Sequence, residues 1–288
     1  MRVLTVAALQ TSPVAHDLDA TWERFEAAVE GVGALFEGVG LVLAPELHLS
    51  AVGHLLHERS GWADDAAVEI PGPLTDRLSA LARRTGLWLV PGSVYERCGS
   101  AVHNTAVVVS PEGDLVTAYR KCFPWQPYET SVPGRGPVTF DIPDVGRIGL
   151  AICHDGTFPE LPRQLAWSGA EAILQPVLTP TADREAEVVV ARATAIVNQV
   201  AVLSLNASSP AGAGRSVLVG PEGHVRWEAG AGEEVLVDAI DFEAVERART
   251  HGSFGMNRLW EQFDRLAPEM ELPMYGRVRA RSTTEVTA

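Results

Sequence analysis

Short β-rich runs alternate with longer amphipathic stretches through the first two thirds of this 288-residue chain. Val3–Leu9 and Val39–Leu43 are almost wholly apolar, as strands buried on both faces are. Between them, Thr21–Phe36 places large apolar side chains near helical spacing. A strand, a helix and a second strand in this order favour a layered α/β fold, in which helices cover mixed sheets.

The same alternation continues to about residue 240. It predicts helices at Leu74–Thr85, Glu160–Gly169 and Glu185–Gln199, and strands at Leu87–Tyr95, His103–Ser110, Arg147–Ile152, Ala172–Gln175, Val200–Asn206, Ser216–Val219 and Val235–Ile240. Ser110–Asp114 and Gly220–His224 each supply the Pro and Gly of a tight turn between apolar runs.

The domain organisation follows from the absence of a Pro-, Gly- or Ser-rich linker that would divide the chain. We therefore expect a single domain over residues 1–250. Residues 251–288 form a C-terminal extension that begins with a short helix at Met256–Leu266. Its polar remainder, Pro268–Ala288, is typical of tails that are mobile or packed on a partner subunit.

Composition excludes several classes of function. Thirty-seven acidic residues against 23 basic ones give a formal charge of −14, and no basic stripe offers a surface for nucleic acid or anionic membranes. No run of ~18 apolar residues predicts a membrane span. Three cysteines are too few for a disulfide framework and lack the paired spacing of a zinc site, so we expect a cytoplasmic protein.

Cys153 is a candidate nucleophile because of its position. It follows the apolar run Ile148–Ile152, and Gly156 and Pro159 then end the strand before the next predicted helix. Open α/β sheets bind ligands at the carboxyl ends of their strands, and N–H groups at such a turn can hold an oxyanion. Taken alone, a free cysteine at the end of a strand is more often a small buried packing residue than a nucleophile.

Two other segments carry candidate acid–base groups. Glu46 follows the apolar run Leu41–Ala44, where partial burial would raise its pKa toward the range of a general base, although a surface Glu also fits there. Lys121 and Glu129 lie eight positions apart in RKCFPWQPYE. A lysine fixed in a cleft would stabilise an oxyanion, whereas a lysine among aromatic residues is also typical of an exposed side chain.

Taken together, these segments resemble the nitrilase superfamily of carbon–nitrogen hydrolases. Glu46 in APEL, Lys121 in YRK with a Pro-rich run, and Cys153 in ICHDGTFPE follow the order of that superfamily's catalytic triad. RKCFPWQPYE followed by ICHDGTFPE is most similar to the aliphatic amidase and formamidase branch. The resemblance implies a four-layer αββα sandwich, a homodimer or larger homo-oligomer, and neither a metal nor an organic cofactor.

The resemblance also implies a role for each residue in cleaving a small non-peptide amide to a carboxylate and ammonia. Glu46 is the general base, and Cys153 forms a thioester. Lys121 and the backbone N–H of His154 hold the oxyanion. Glu129 positions the amide and orients the other groups. We also expect Trp125 and Tyr128 to contact the substrate.

Several alternatives remain open at this stage. His154-Asp155 replaces the Trp-Glu that typically follows the cysteine of true nitrilases, which favours amides over nitriles. An N-carbamoyl compound is an alternative substrate, with Arg184 and Arg215 as candidate carboxylate ligands, although both are more typical of surface residues. A non-catalytic binding protein on the same fold is disfavoured because Glu46, Lys121 and Cys153 are all present.

Overall fold

The computed structural model describes residues 2–266, 271–272 and 276–277, which form two large β-sheets, a two-stranded ribbon and seven α-helices. The strands are β1 (Val3–Gln10), β2 (Leu41–Leu43), β3 (Trp88–Val90), β4 (Ser93–Cys98), β5 (Ala101–Val109), β6 (Leu115–Arg120), β7 (Val138–Ile142), β8 (Gly146–Leu150), β9 (Ala172–Val177), β10 (Ala201–Asn206), β11 (Val217–Val219), β12 (Val225–Glu228), β13 (Glu234–Asp241), β14 (Glu271–Leu272) and β15 (Gly276–Arg277). The helices are α1 (Leu18–Leu35), α2 (Trp62–Asp65), α3 (Pro73–Thr85), α4 (Glu160–Trp167), α5 (Arg184–Asn198), α6 (Phe242–His251) and α7 (Leu259–Leu266).

Each large sheet has parallel strands in its interior. The first has the order β13–β1–β2–β3–β5–β4, with β6 also paired to β5, and the second has the order β12–β11–β10–β9–β8–β7. Strands β1, β2 and β3 are parallel to one another, and so are β8, β9 and β10. Because β2 and β8 are interior strands, the chain segments that follow them start between neighbouring strands and not at the outer edge of a sheet.

The core has two main parts because alternate residues of a strand point to opposite faces. In β1, Val6 and Ala8 belong to a cluster that includes Ile148 of the other sheet. Ala7 and Leu9 of the same strand instead pack in the cluster that contains apolar side chains of α1 and α3. Helices α4 and α5 contact the second sheet at β8 and β10. This arrangement confirms the four-layer αββα sandwich.

Local sequence signals define the helix ends in the first layer. Asp17 caps α1 by accepting a hydrogen bond from Ala20 N at 2.9 Å. Helix α3 begins with Pro73, whose fixed φ suits the first helical position, and ends at Thr85, where the next residue, Gly86, caps it with φ +68°. These signals explain why the predicted helices agree with the observed ones to within a few residues.

The predicted strand Leu87–Tyr95 is wrong as a single element. It is divided into β3 and β4 by Gly92, which has φ +80° and approaches the preceding crossover so closely that a Cβ would lie 1.7 Å from the Pro45 carbonyl oxygen. Strands β6, β7 and β12 were not predicted. Their partly exposed sequences lack a continuous apolar run.

The two predicted turns are confirmed, since Ser110–Asp114 joins β5 to β6 and Gly220–His224 joins β11 to β12. The predicted helix at Met256–Leu266 is present but begins later, at Leu259. Most of the polar tail Pro268–Ala288 lies outside the described residues. None of the helices in the described ranges has the length and apolar character needed to cross a membrane.

Candidate active site

Cys153 begins a tight 3₁₀ turn, Cys153–Thr157, immediately beyond β8. Its φ of +45° lies in the left-handed region, which side chains other than glycine seldom adopt and which surrounding structure must enforce. Two buried side chains hold this turn. Gln175 Nε2 donates to the Cys153 carbonyl oxygen at 2.8 Å, and Asp155 Oδ2 accepts from Ile152 N at 2.9 Å. The sulfur is thereby held in a defined position at the end of a central strand.

Glu46 lies in the segment that leaves the other sheet after β2, and its side chain is buried. Burial and the negative charge of Glu129 raise its pKa, against the opposing effect of Lys121. The raised pKa agrees with the sequence-based expectation. Its Oε2 receives no hydrogen bond from the described residues and is available to take a proton. The Cys153 thiol is near enough for each group to influence the pKa of the other.

Lys121 follows β6 and is only 1% exposed, so the alternative of a surface lysine is wrong. Its Nζ donates to Glu46 Oε1 at 2.7 Å and to Glu129 Oε2 at 2.6 Å. Burial by itself lowers the pKa of a lysine, but the two carboxylates outweigh it and raise the pKa of Lys121 well above its ordinary value. Lys121 is therefore an ammonium ion enclosed between two carboxyl groups.

Asn104, in β5, joins the same cluster and was not predicted. Its Nδ2 donates to Glu46 Oε1 at 2.9 Å and to Glu129 Oε1 at 2.8 Å. Glu129 also accepts from Ser131 Oγ at 2.8 Å and from Trp125 N at 3.0 Å. Although burial raises it, these bonds and the lysine hold the pKa of Glu129 below its ordinary value. A lone Asn within an apolar strand was the available sequence signal.

Asp155 ties the lysine segment to the cysteine turn. Its Oδ1 accepts from Cys122 N at 3.1 Å and from Phe123 N at 2.8 Å, while its Oδ2 accepts from Tyr119 Oη at 2.7 Å as well as from Ile152 N. The sequence predicts only a local acceptor within the turn. The structure adds contacts to residues more than 30 positions away, and these fix the two segments relative to each other.

A cavity of about 320 Å³ opens beside the sulfur. Its lining residues are Trp125, Cys153, His154, Thr157, Thr179, Asp183, Ala186, Glu187 and Val190. Burial and the charge of Lys121 lower the pKa of His154, which favours a neutral imidazole. The structure does not bring Tyr128 to the cavity: this residue is 56% exposed and is not among the lining residues, and its ring packs on Trp125 with ring centroids 4.7 Å apart.

The described residues also form a second cavity, of about 400 Å³, but no group of side chains that meets the requirements of a metal site. The cavity is lined by the β11–β12 turn and α6 and contains none of the predicted site residues. Within the described part of the chain, no three or more His, Cys, Asp or Glu side chains are grouped so as to hold a metal ion.

The two arginines considered as carboxylate ligands are both engaged elsewhere. Arg184 is 1% exposed, so the expectation of a surface residue is wrong, and it pairs with Glu187 at 3.1 Å. Arg215 forms ion pairs with Glu185 and Glu228. Neither side chain is among those that line the cavity beside the sulfur.

Comparisons with known proteins agree with this geometry. A family model described as carbon-nitrogen hydrolase matches residues 5–250. Omega-amidase NIT2 of Mus musculus is 30% identical over 232 residues, which are 74% of this chain and 80% of NIT2. A formamidase of Bacillus thuringiensis is 28% identical over 193 residues, 66% of this chain. The match spans only 57% of the length of that formamidase.

Solved structures show the same architecture. Nit3 of Saccharomyces cerevisiae, a member of branch 10 of the nitrilase superfamily, superposes with a TM-score of 0.77 at 27% identity, covering 86% of this chain and 93% of Nit3. The NitN amidase of Nesterenkonia sp. AN1 superposes with a TM-score of 0.70 at 25% identity, covering 87% of this chain and 99% of NitN. The family match, the relatives and the shared fold establish that the chain belongs to the carbon–nitrogen hydrolases of the nitrilase superfamily, amidase-type enzymes that act on carbon–nitrogen bonds other than peptide bonds.

Proposed function

We propose that this enzyme hydrolyses a small, uncharged, non-peptide amide to a carboxylate and ammonia through a thioester on Cys153. One observation carries the proposal: a fully buried Lys121 is bonded to both Glu46 and Glu129, next to a thiol at the edge of a cavity. Charged residues are rarely buried without function or pairing, and a cluster with strongly shifted pKa values beside a cavity indicates a reactive site.

The proposed reaction begins with proton transfer from Cys153 to Glu46. Because burial raises the pKa of both groups, the thiol is protonated in the free enzyme, and the proton moves as the sulfur attacks the amide carbon. The carbonyl electrons move to oxygen, where Lys121 Nζ and the backbone N–H of His154 stabilise the negative charge. Glu46 then returns its proton to the nitrogen, and the carbon–nitrogen bond breaks to release ammonia and leave the thioester.

The second half of the reaction uses the same base. Glu46 takes a proton from water, whose oxygen attacks the thioester carbon. The tetrahedral intermediate is again stabilised by Lys121, and its collapse expels the Cys153 sulfur, which takes the proton back from Glu46. The carboxylic acid that is released loses its proton to solvent, so the products are a carboxylate and the regenerated thiol.

We assign Glu129 to the positioning of Lys121 rather than to direct contact with the amide. Its two oxygens already accept four hydrogen bonds, from Lys121, Asn104, Ser131 and the backbone of Trp125. A carboxylate with four partners has little remaining capacity to bind a substrate. Its negative charge keeps the lysine protonated and directed toward the reacting oxygen.

The cavity favours a short, uncharged acyl group. Its volume of about 320 Å³ is at the lower end of the range for ligand pockets. Asp183 and Glu187 place carboxylates in its wall, and neither Arg184 nor Arg215 is free to pair with a substrate anion. An N-carbamoyl amino acid carries a carboxylate, so this wall disfavours the N-carbamoyl alternative.

Ammonia release from a substrate panel tests the proposal. The panel contains formamide, acetamide, butyramide, an N-carbamoyl amino acid and an aliphatic nitrile. We expect the neutral amides to be hydrolysed, and Cys153→Ala and Glu46→Gln to lower kcat/KM by at least about 10³-fold. Cys98→Ser is the matched control, since Cys98 is an exposed free cysteine outside the site.

The thioester is tested separately by intact mass. A short reaction with butyramide, quenched in acid, should add the mass of a butyryl group to Cys153, and hydroxylamine should convert it to a hydroxamic acid. Turnover that survives in both Cys153→Ala and Glu46→Gln would exclude the mechanism. If no amide, carbamoyl compound or nitrile releases ammonia, the result would favour the non-catalytic alternative.

A further inference from the structure

A chain of polar side chains leads from the buried second sheet to the reactive sulfur. Thr179 Oγ1 lies 3.6 Å from Cys153 Sγ and donates to Glu187 Oε1 at 2.7 Å. Glu187 Oε2 accepts from Arg184 Nη1 at 3.1 Å. Thr179 and Arg184 are buried, and Glu187 lines the cavity. None of these three residues has a part in the reaction described above.

Arg184 immobilises the end of this series of hydrogen bonds that lies farthest from the Cys153 sulfur. Its guanidinium donates to Ser204 Oγ and to the Ser204 carbonyl oxygen, each at 3.0 Å. It also donates twice to the Arg215 carbonyl oxygen, at 3.1 and 3.2 Å. Because these bonds and the ion pair use all three guanidinium nitrogens, Arg184 is fixed and holds the Glu187 carboxylate in one orientation.

Thr179 is fixed as firmly through its backbone. Its N–H donates to Asn206 Oδ1 at 2.9 Å, and its carbonyl oxygen accepts from Asn206 Nδ2 at 3.0 Å. A threonine hydroxyl has one hydrogen and two lone pairs. Since that hydrogen is donated to a carboxylate, the oxygen presents a lone pair to the sulfur of Cys153. The thiol hydrogen can therefore be donated to Thr179.

We propose that Thr179 and Glu187 are positioning residues for the amide hydrolysis proposed above, on which this inference rests: they hold the Cys153 thiol in its protonated form until Glu46 takes the proton. Besides burial, the charges of Glu46 and Glu187 raise the pKa of the thiol and that of Lys121 lowers it, and the Arg184 guanidinium also interacts electrostatically with Cys153. The arrangement confines formation of the reactive thiolate to the moment when the base acts.

Alkylation of Cys153 by iodoacetamide provides a test without an amide substrate. The rate is measured against pH, with peptide mapping to separate Cys153 from the other cysteines. We expect the profile of Glu187→Gln to shift toward lower pH, because a negative charge facing the thiol is removed. A purely structural role for Glu187 would lower the unfolding temperature and leave this pH profile in place.

A matched pair of variants tests the role of the Thr179 hydroxyl as an acceptor for the Cys153 thiol. Thr179→Val keeps the shape but removes the acceptor, and we expect kcat/KM for a neutral amide to fall about tenfold with little change in KM. Thr179→Ser keeps the acceptor and should remain within about twofold of the wild type. We also expect the alkylation rate of Cys153 to change in Thr179→Val and to be retained in Thr179→Ser.

The outcomes separate this inference from the proposed function. If Glu187→Gln does not fold because Arg184 loses its partner, the valine and serine variants decide the question. An unshifted alkylation profile in folded Glu187→Gln, or equal behaviour of Thr179→Val and Thr179→Ser, would overturn the positioning role. A shifted profile in a protein that hydrolyses no amide would support the positioning of the thiol and refute the proposed substrate class.

Discussion

Asn104→Leu removes a neutral side chain that bridges Glu46 and Glu129. The wild-type amide donates to these carboxyl groups at 2.9 and 2.8 Å, and hydrogen bonds to charged groups contribute about 1.5–3 kcal/mol each. Against this loss, the Asn104 Oδ1 is buried and accepts no hydrogen bond within the described ranges. Removing such an atom regains about 1–3 kcal/mol. Taken at the middle of both ranges, the balance predicts a net loss of about 2.5 kcal/mol in the free energy of unfolding.

The same substitution should affect catalysis. Glu46 and Glu129 share Lys121 as well as Asn104, so the loss of the amide lets both carboxyl groups and the ammonium shift relative to the Cys153 sulfur. Small displacements of reacting groups cost about 10–100-fold in rate. We therefore expect a fall of this size in kcat/KM for neutral amides, measured by ammonia release alongside urea denaturation.

Asn198→Leu is the matched control for this experiment. Asn198 is equally buried, donates to the Thr194 carbonyl oxygen at 3.0 Å, and also has an Oδ1 without a partner in the described residues, but it lies in α5 away from the cluster. By the same balance, the loss of one neutral hydrogen bond is offset by removal of the partnerless Oδ1, so the free energy of unfolding should change little and kcat/KM should be retained. An Asn104→Leu enzyme whose unfolding free energy and kcat/KM both match the wild type would refute the assigned bridging role.

Four further predictions concern the same site. The kcat/KM of the wild type should fall as pH decreases through the raised pKa of Glu46, because protonated Glu46 cannot accept the thiol proton, so the acid limb should lie above the pKa of an ordinary glutamate. Glu129→Gln should move that limb to lower pH, since it removes a negative charge that raises the pKa of Glu46; an unmoved limb would contradict the assignment. Asp155→Asn should lower the free energy of unfolding by about 3 kcal/mol in urea denaturation, because it presents an NH₂ group to N–H donors, and an unchanged midpoint would argue against the four bonds described. Gly156→Ala should lower kcat about tenfold or more in steady-state assays, because the new Cβ would lie 2.3 Å from the Gln175 Nε2 that holds the Cys153 carbonyl; wild-type kcat would show that the turn tolerates displacement of Gln175.

The sequence was most informative where a functional position can be identified from residues adjacent to it in the chain. A Glu or Cys directly after an apolar run marks the carboxyl end of a strand, and this relation depends on neighbouring residues alone. Glu46 and Cys153 became candidates in this way, whereas Lys121 was singled out with Glu129 in RKCFPWQPYE, and only the resemblance to the superfamily assigned roles to them. The structure brings Glu46, Lys121 and Cys153 together. The single domain over residues 1–250, the homo-oligomer and the cytoplasmic location stay predictions.

The tertiary structure decided the partners of the polar side chains. Asn104 meets carboxyl groups 58 and 25 positions away, Thr179 reaches the sulfur from the segment after β9, and Arg184 is buried rather than exposed. Apart from the lone Asn within the apolar strand β5, no local pattern distinguishes these residues from ordinary surface or loop positions. Which polar groups meet depends on which strands are neighbours, and that is set by the packing of two sheets whose chain segments lie far apart in sequence. The sequence alone therefore predicted the layered fold and the candidate reacting groups, whereas only the packed structure determined how those groups are held.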